Sequence, residues 1–594
     1  MRLDFQTYRK KVYGCYTGKA VGGTLGMPFE GDRSVRKVTY YDPVPTEMPP
    51  NDDLDLQVVN LETVMRLGLP ISRLCIGEMW IRHLDDSAPD EYGVAISNHD
   101  IGLRAPLSGI YRNKFKAGMG GAIRSELWAC LAPGNPALAA MFAREDASTD
   151  HAQEGVFAEM FLAAAESAAF TETDLSDIID AGMNCIDKNS KLYRAFTLVR
   201  GEWEATCDVM AVREKILTQF ASDNWTDVTI NLSFILLALL SSDGNFDKAV
   251  CTAASLGYDT DCTAATVGAF FGTWKPDAID KKWTDPIGNK LVLSPCIVGM
   301  HECDTVDEFC NLVIGVEREV SKFYGNAATN DFPNVPAVRM AKPRYTEIGN
   351  LYGWENGSQE SLIAELPFLV SIVYPDTVAI LPNQQNKIKI RLQGNSEKTF
   401  RGTLSLISHE KLAFAPSEFS FSLCGNETIE FETVVTESAL KRFGRKNVFV
   451  LRFDVNDVSF VLEAGLPLAL PWEVIDDLGN MSVFWASSSY FVVPNGGYTY
   501  RTKIKAPAKK DARIVCCGTR PFKCFINGEE VRAYDGSIYV PAFHRDYGPV
   551  QISLENGENE VNIVFPDHKE GECFVAFGTT FGCGLWSDTV EWYL

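Results

Sequence analysis

The spacing of apolar residues changes once along this 594-residue chain, and that change limits the fold more than any other feature. From about residue 5 to 325 apolar residues recur every three to four positions. The spacing predicts helices over 54–67, 71–84, 136–144, 155–170, 192–203, 209–220, 231–241, 246–256 and 306–324. No convincing strand alternation interrupts them, so this half is expected to be an irregular all-helical domain. Long loops near 28–50 and 86–124 are left to carry function.

Around residues 326–362 the composition turns to Asn, Pro, Gly and Ser, as in Asn330-Asp331-Phe332-Pro333-Asn334 and Asn356-Gly357-Ser358, which marks a boundary. Beyond it the apolar period is two, as in Lys387-Ile388-Lys389-Ile390-Arg391-Leu392 and Asn447-Val448-Phe449-Val450-Leu451-Arg452-Phe453. Short alternating runs broken by turn residues predict a β-sandwich over about 366–470. A second β module follows from about 475, with Asn527-Gly528 placed to turn a hairpin. The expected fold class is multidomain: an all-α domain (1–345), an Ig-like β-sandwich (346–474) and a jelly-roll-like β-sandwich (475–594). Trp485, Tyr490, Phe491, Tyr498, Tyr539 and Trp586 suit either a sugar-stacking surface or core filling, and core filling is the favoured reading.

A net charge of −23 with no compensating basic run excludes a nucleic-acid backbone as partner. The longest apolar run, Phe234–Leu240, is too short to span a bilayer, and residues 1–30 carry no signal-peptide pattern, so a cytoplasmic location is expected. The 16 cysteines lack metal-ribbon spacing and are expected to be mostly reduced core residues.

Two acidic clusters stand where loops should become helices. Pro49-Pro50 blocks helix before Asn51-Asp52-Asp53, leaving Asn51 as N-cap, and helical apolar spacing follows. Carboxylates in a first helical turn are favoured by free amides anyway, at roughly 0.3–1 kcal/mol each, so Asp52-Asp53 alone reads first as helix-start decoration. Asp259-Thr260-Asp261 precedes Thr263–Phe271, a small-residue apolar run that reads as a buried helix. Two carboxylates there would cost several kcal/mol unless a positive group lies between them. Oxygen ligands without a His or Cys pattern favour Mg2+ or a similar hard ion.

Gly14–Gly31 is a glycine-rich stretch that permits close helix contact and ends beside Glu30. Together with Asn51-Asp52-Asp53-Leu54-Asp55 and Gly257-Tyr258-Asp259-Thr260-Asp261-Cys262, it strongly resembles the ADP-ribosylglycohydrolase family, over about residues 8–325. The resemblance implies an all-helical fold with one or two Mg2+ ions that cleaves an N- or O-glycosidic bond to ADP-ribose. Matched to the motifs, the expected metal ligands are Asn51, Asp52, Asp53, Asp259, Asp261 and Cys262. Asn51 stands where the family has a Thr, and Cys262 replaces a second Thr, although a thiol is a poor Mg2+ ligand. Glu30, Asp52 and Asp261 are the expected catalytic groups.

Lys116–Arg124 resembles a glycine loop that lies near ribose and phosphate in the family, which makes Gly120, Gly121 and Arg124 expected substrate-binding residues. Ser148–Gly155 resembles the segment that supplies a substrate-contacting His, here His151, and the expected long loop adds His99 near Arg104. The implied activity is hydrolysis of an ADP-ribosyl or related ribosyl or glycosyl bond. The alternatives are a carbohydrate or nucleoside-like glycoside at the same metal site, and a catalytically silent ADP-ribose- or carbohydrate-binding protein. The implied partner is a small-molecule glycoside, with carbohydrate contact by the β modules.

Overall fold

The computed structural model describes residues 3–593 except 51, 86–87, 301–302, 327, 330–331, 333–334, 345–358, 366, 383, 409–411, 438–446, 538–548 and 579–590. Asn51, His301, Tyr539, Trp586 and the expected boundary near 345 therefore lie outside the described residues. The chain forms two compact units, residues 1–83 with 116–346 and residues 84–115 with 347–594.

The first unit is built from helices around one close pair. The helix Phe5–Gly26 is capped by Asp4, whose side chain accepts from Thr7 N–H at 3.0 Å. It lies against Thr260–Trp274 through glycines spaced four apart. A Cβ at Gly14, Gly18, Gly22 or Gly26 would fall 2.4, 2.0, 1.9 or 2.0 Å from the carbonyl oxygen of Gly272, Gly268, Ala264 or Thr260. The two backbones touch, antiparallel, with no room for side chains between them. Each glycine costs helix propensity of roughly 1 kcal/mol, and the backbone packing offsets that cost.

The remaining helices follow the predicted spacing closely: Asp52–Leu67, Arg73–His83, Pro136–Ala147, Glu154–Ala169, Lys191–Thr206, Val209–Phe220, Val228–Ser241, Phe246–Ser255 and Val306–Tyr324. Ser125–Leu131 and Leu175–Met183 are additional. Among the described residues no helix is long and apolar enough to cross a membrane.

Among the described residues of the second unit beyond 84–115, the strands pair antiparallel. Two sheets run Glu360–Ala364, Leu369–Val373, Asn386–Gln393, Thr428–Glu437, Leu412–Ala415 and Glu418–Cys424, Thr399–Ser408, Val448–Val455, Val458–Gly465 in strand order. Alternation is clear in Asn386–Gln393: Ile388, Ile390 and Leu392 are buried, while Lys387, Lys389 and Arg391 pair with Glu432 and Glu430 across the ladder. Two further sheets carry the later strands, centred on Gly496–Ala506 and Lys510–Gly518. Asn527 and Gly528 both take positive φ (52° and 85°) in the predicted hairpin turn, the geometry of a primed turn. Phe491 stacks on Tyr500 at 5.1 Å inside this core, and Trp485 and Tyr498 pack against it, so these aromatics fill the interior.

The stretch 86–124 expected as a loop contains the helix Asp90–Asp100. Its tail is tied into the sheets: Gly102 O accepts from Gly465 N–H (3.2 Å), Ala105 O from Leu362 N–H (3.1 Å), and Ser361 Oγ from Arg104 N–H (3.1 Å). Ile101, Leu103, Leu107 and Tyr111 join the sandwich core.

Candidate metal and active site

The close helix pair sets the position of Glu30, Asp259 and Asp261. Gly26 ends one helix where Thr260 begins the other, and Thr260 Oγ donates to Gly26 O at 2.8 Å. The chain then turns through Met27–Phe29 to the partly exposed Glu30, and Gly31 N–H donates to Tyr258 O (2.9 Å) while Tyr258 N–H donates to Asp32 O (2.8 Å). Gly257 and Tyr258 both hold positive φ (78° and 72°). At Gly257 a Cβ would meet Asp32 O and Ser34 O at 2.7 Å, so glycine is required there. Asp259 N–H donates to Asn231 Oδ1 at 3.2 Å, which fixes the start of the central helix.

Asp52 and Asp53 open the helix Asp52–Leu67, whose first turn faces this corner. One donor atom each of Asp53, Asp261 and Cys262 lies within 4.8 Å of the others, and all three residues are buried. Asp52 is pushed above the usual carboxylate range by burial and then by Asp53, Asp55, Glu30 and Asp259. Asp259 is raised by burial and then by Glu30, and Asp261 by burial and then by Asp259, Glu30, Asp53 and Asp52. The distant clusters thus form one electrostatically coupled centre beside Glu30. Asp55, on the same helix, points its Oδ1 to Ser294 N–H (3.0 Å) and is pushed up to about 6 by burial.

Sequence reasoning missed the groups behind Asp53. Lys19, fully buried in the glycine helix, lies 2.8 Å from Glu126 and 3.8 Å from Asp53. Burial opposes its charge, but Glu126 and Asp53 outweigh burial and hold its pKa above the usual lysine value. Gln57 Nε2 donates to Glu126 Oε2 (2.9 Å) and to Asp53 O (3.0 Å), and its Oε1 accepts from Tyr16 (3.2 Å). The available signal was a lone lysine among small residues, and a lone glutamate just before the apolar run Leu127–Leu131.

The glycine loop is held from within. Arg124 is fully buried, donating to Asp146 (3.1 Å), to both oxygens of Asp150 (2.9 and 3.0 Å) and to Gly120 O (2.8 Å). Gly121 N–H donates to His151 Nε2 at 3.1 Å, which requires that nitrogen to be unprotonated, and Nδ1 faces Asp150 at 2.7 Å. Burial alone would raise Asp150, but Arg124 and His151 outweigh it and lower its pKa. Gly120, Gly121, Arg124 and His151 therefore converge with one another inside the first unit. His99 belongs to the second unit, buried in Asp90–Asp100, with its pKa held well below the usual range by burial and then Arg104.

An all-helical unit whose paired helices bring separate acidic turns to one corner defines a carboxylate-centred class of fold. The ADP-ribosylglycohydrolase family model matches residues 4–316, and the chain belongs to that family. Its structure is similar to an ADP-ribosylglycohydrolase-related protein complex over 53% of this chain and 100% of that one, at 18% identity and a TM-score of 0.38. It is also similar to an anti-sigma factor domain-containing protein (8% identity, 33% of this chain, 81% of that chain, TM-score 0.16). An alpha-L-rhamnosidase from Aspergillus terreus is similar at 11% identity over 38% of this chain and 28% of that chain, with a TM-score of 0.15. No curated protein matches the chain.

Proposed function

We propose that the chain is a divalent-cation-dependent glycohydrolase that hydrolyses the N- or O-glycosidic bond of an ADP-ribosyl or related ribosyl or glycosyl substrate, with the helical unit as its catalytic part. The observation that carries this reading is the meeting of Asp53, Asp261 and Cys262 within 4.8 Å, with the charges of Asp52, Asp259 and Glu30 bearing on Asp261. The donor set fits a cation. Asp261 Oδ1 is buried with no hydrogen-bond partner among the described residues, and ionised carboxylates left so cost several kcal/mol each. Asp52, Asp53, Asp259 and Asp261 would hold the ion, and oxygen donors suit Mg2+. When bound, such an ion supplies positive charge that orients and polarises the substrate.

The chain's own residues do the rest. Glu30 sits beside the acids and takes a proton from the attacking water, or stabilises positive charge at the anomeric carbon as the leaving group departs. Lys19 sets a positive charge behind the Asp53 carboxylate, and Gln57 braces Glu126 beside it. Arg124 and His151 serve as positioning residues for the loop at Gly120-Gly121.

One observation favours a non-phosphorylated glycoside as a second reading. The guanidinium of Arg124 and the amide of Gly121, expected to bind substrate near ribose and phosphate, are engaged inside the protein. The test is a panel of ADP-ribosyl compounds, nucleosides and aryl glycosides, offered after chelation and again after a divalent cation is restored. Cation-dependent release of sugar from the ADP-ribosyl set supports the first reading, and release only from the others supports the second. Saturable binding with no product over long incubation overturns both.

A further inference from the structure

The donor set at the centre of the site is not purely oxygen. Cys262 is 7% exposed, and its sulfur shares with one carboxylate oxygen each of Asp53 and Asp261 a space in which the three atoms lie within 4.8 Å of one another. Among the described residues no other group of three or more His, Cys, Asp or Glu side chains converges in this way. Asp261 is 5% exposed, and its Oδ1 has no hydrogen-bond partner among the described residues. A buried acceptor without a donor, facing a sulfur and a second carboxylate, calls for a cation at that spot. The presence of sulfur decides which cation.

Hard ions such as Mg2+ and Ca2+ take oxygen ligands and keep their water in preference to a thiolate. Thiolate is a soft ligand that selects Zn2+ and similar ions, whereas carboxylate and water suit Mg2+. We infer that the position bounded by Asp53, Asp261 and Cys262 takes a thiophilic divalent ion of the Co2+ and Zn2+ type in preference to Mg2+, with the Cys262 sulfur as a ligand. The inference rests on the cation-dependent reading above and deepens it. Asp52 and Asp259 offer only oxygen to the same centre, so the sulfur position would set the metal preference of this chain. Coordination balances simply: the Cys262 thiol gives its proton to solvent and its sulfur lone pair to the ion, with no change of oxidation state.

The competing account makes Cys262 a small buried filler whose side chain hydrogen-bonds Asp259. The two accounts separate spectroscopically. The full-length chain, stripped of metal by chelation and kept reduced, is titrated with Co2+. Ligation by sulfur gives a near-ultraviolet sulfur-to-cobalt charge-transfer band that grows in step with the visible cobalt bands. Cys262→Ser should keep the visible bands, through the carboxylates, and lose the charge-transfer band. Zn2+ should displace Co2+ from the parent while Mg2+ in large excess does not. In the variant the preference for Zn2+ over Mg2+ should narrow by about tenfold or more, since losing even an outer partner of a ligand costs about 10–100-fold in affinity. X-ray absorption of the Zn2+-loaded parent, which needs no variant, should show a sulfur neighbour at about 2.3 Å.

Absence of a sulfur neighbour in the parent, or a charge-transfer band that survives in Cys262→Ser, overturns the inference. So does displacement of Co2+ by Mg2+ to the same extent in both proteins. Glycoside hydrolysis supported by Mg2+ without sulfur ligation would remove this inference and leave the glycohydrolase reading in place. Sulfur ligation in a protein that cleaves no glycoside would do the reverse.

Discussion

Replacing Gly22 by alanine adds one methyl group at one of the tightest points between the two central helices. That methyl carbon would sit 1.9 Å from Ala264 O, 2.3 Å from Ala264 C and 2.7 Å from Ala265 N, where real contacts essentially never fall below 3.0 Å. The obstacle is backbone, so no rotamer change relieves it, and the helices must part by about 1 Å. Overpacking of this kind costs typically about 1–3 kcal/mol and occasionally more. Because rigid backbone opposes rigid backbone, the upper end applies. Alanine's better helix propensity returns about 1 kcal/mol, leaving a net loss of about 2 kcal/mol.

The same displacement should reach the chemistry. Gly22 lies one turn before Gly26, and Ala264 lies just after Asp261, so parting the helices moves Asp259 and Asp261 away from Glu30. A misplacement of about 1 Å can cost about 100-fold in rate. The assay is urea denaturation followed by the helix signal in circular dichroism, beside cation-dependent turnover. Gly201→Ala is the control: Gly201 is exposed in Lys191–Thr206 with nothing within 4 Å of an added Cβ, and there alanine should stabilise by about 0.5–1 kcal/mol. If Gly22→Ala proves as stable as Gly201→Ala and turns over normally, the backbone-contact argument is wrong.

Three further outcomes are expected. Glu30→Gln should lower turnover at least about 100-fold with an unchanged melting curve, and near-parental turnover removes Glu30 from the reaction. Lys19→Met strands Glu126 and Asp53 without their buried cation and should destabilise by about 3–5 kcal/mol in urea; a loss below about 1 kcal/mol would show that the network needs no cation. Glu317 is buried, accepts hydrogen bonds from Ser321 and Thr329, and is pushed by burial from 4.5 up to about 7. The folded state therefore binds this proton more tightly than the unfolded state. Its contribution is full below about pH 4.5 and fades as pH rises to about 7, and Glu317→Gln should flatten that slope in urea midpoints measured across the window.

The helices and strands were legible because their periods are set by burial of one face, and the bounds of Val209–Phe220 and Val306–Tyr324 match to the residue. The acids of the centre were legible because carboxylates beside an apolar helix need an explanation. The partners of Asp53 were not, because Lys19 and Glu126 are 107 positions apart and only the fold shows that they meet. The helix Asp90–Asp100, inside the stretch 86–124 expected as loop, was missed for the same reason. Asp90–Asp100 is buried from Glu91 to His99 except at Ile96, with no single apolar face to mark it, and the strands that hold its tail at Gly102 and Ala105 come from positions 361–465. Cys262 was visible as a departure, but its distance to Asp53 was not.

The grouping of 84–115 with the β strands bears on how this protein can be cut and how it is made. On the ribosome, 84–115 emerges 245 residues before Glu360, the start of the first strand it must join. At about 5–20 residues per second, Ile101, Leu103 and Leu107 wait roughly 10–50 s for their cover. A fragment ending near residue 345 would keep that wait forever, so an independent helical unit requires bridging His83 to Lys116 as well as removing the tail.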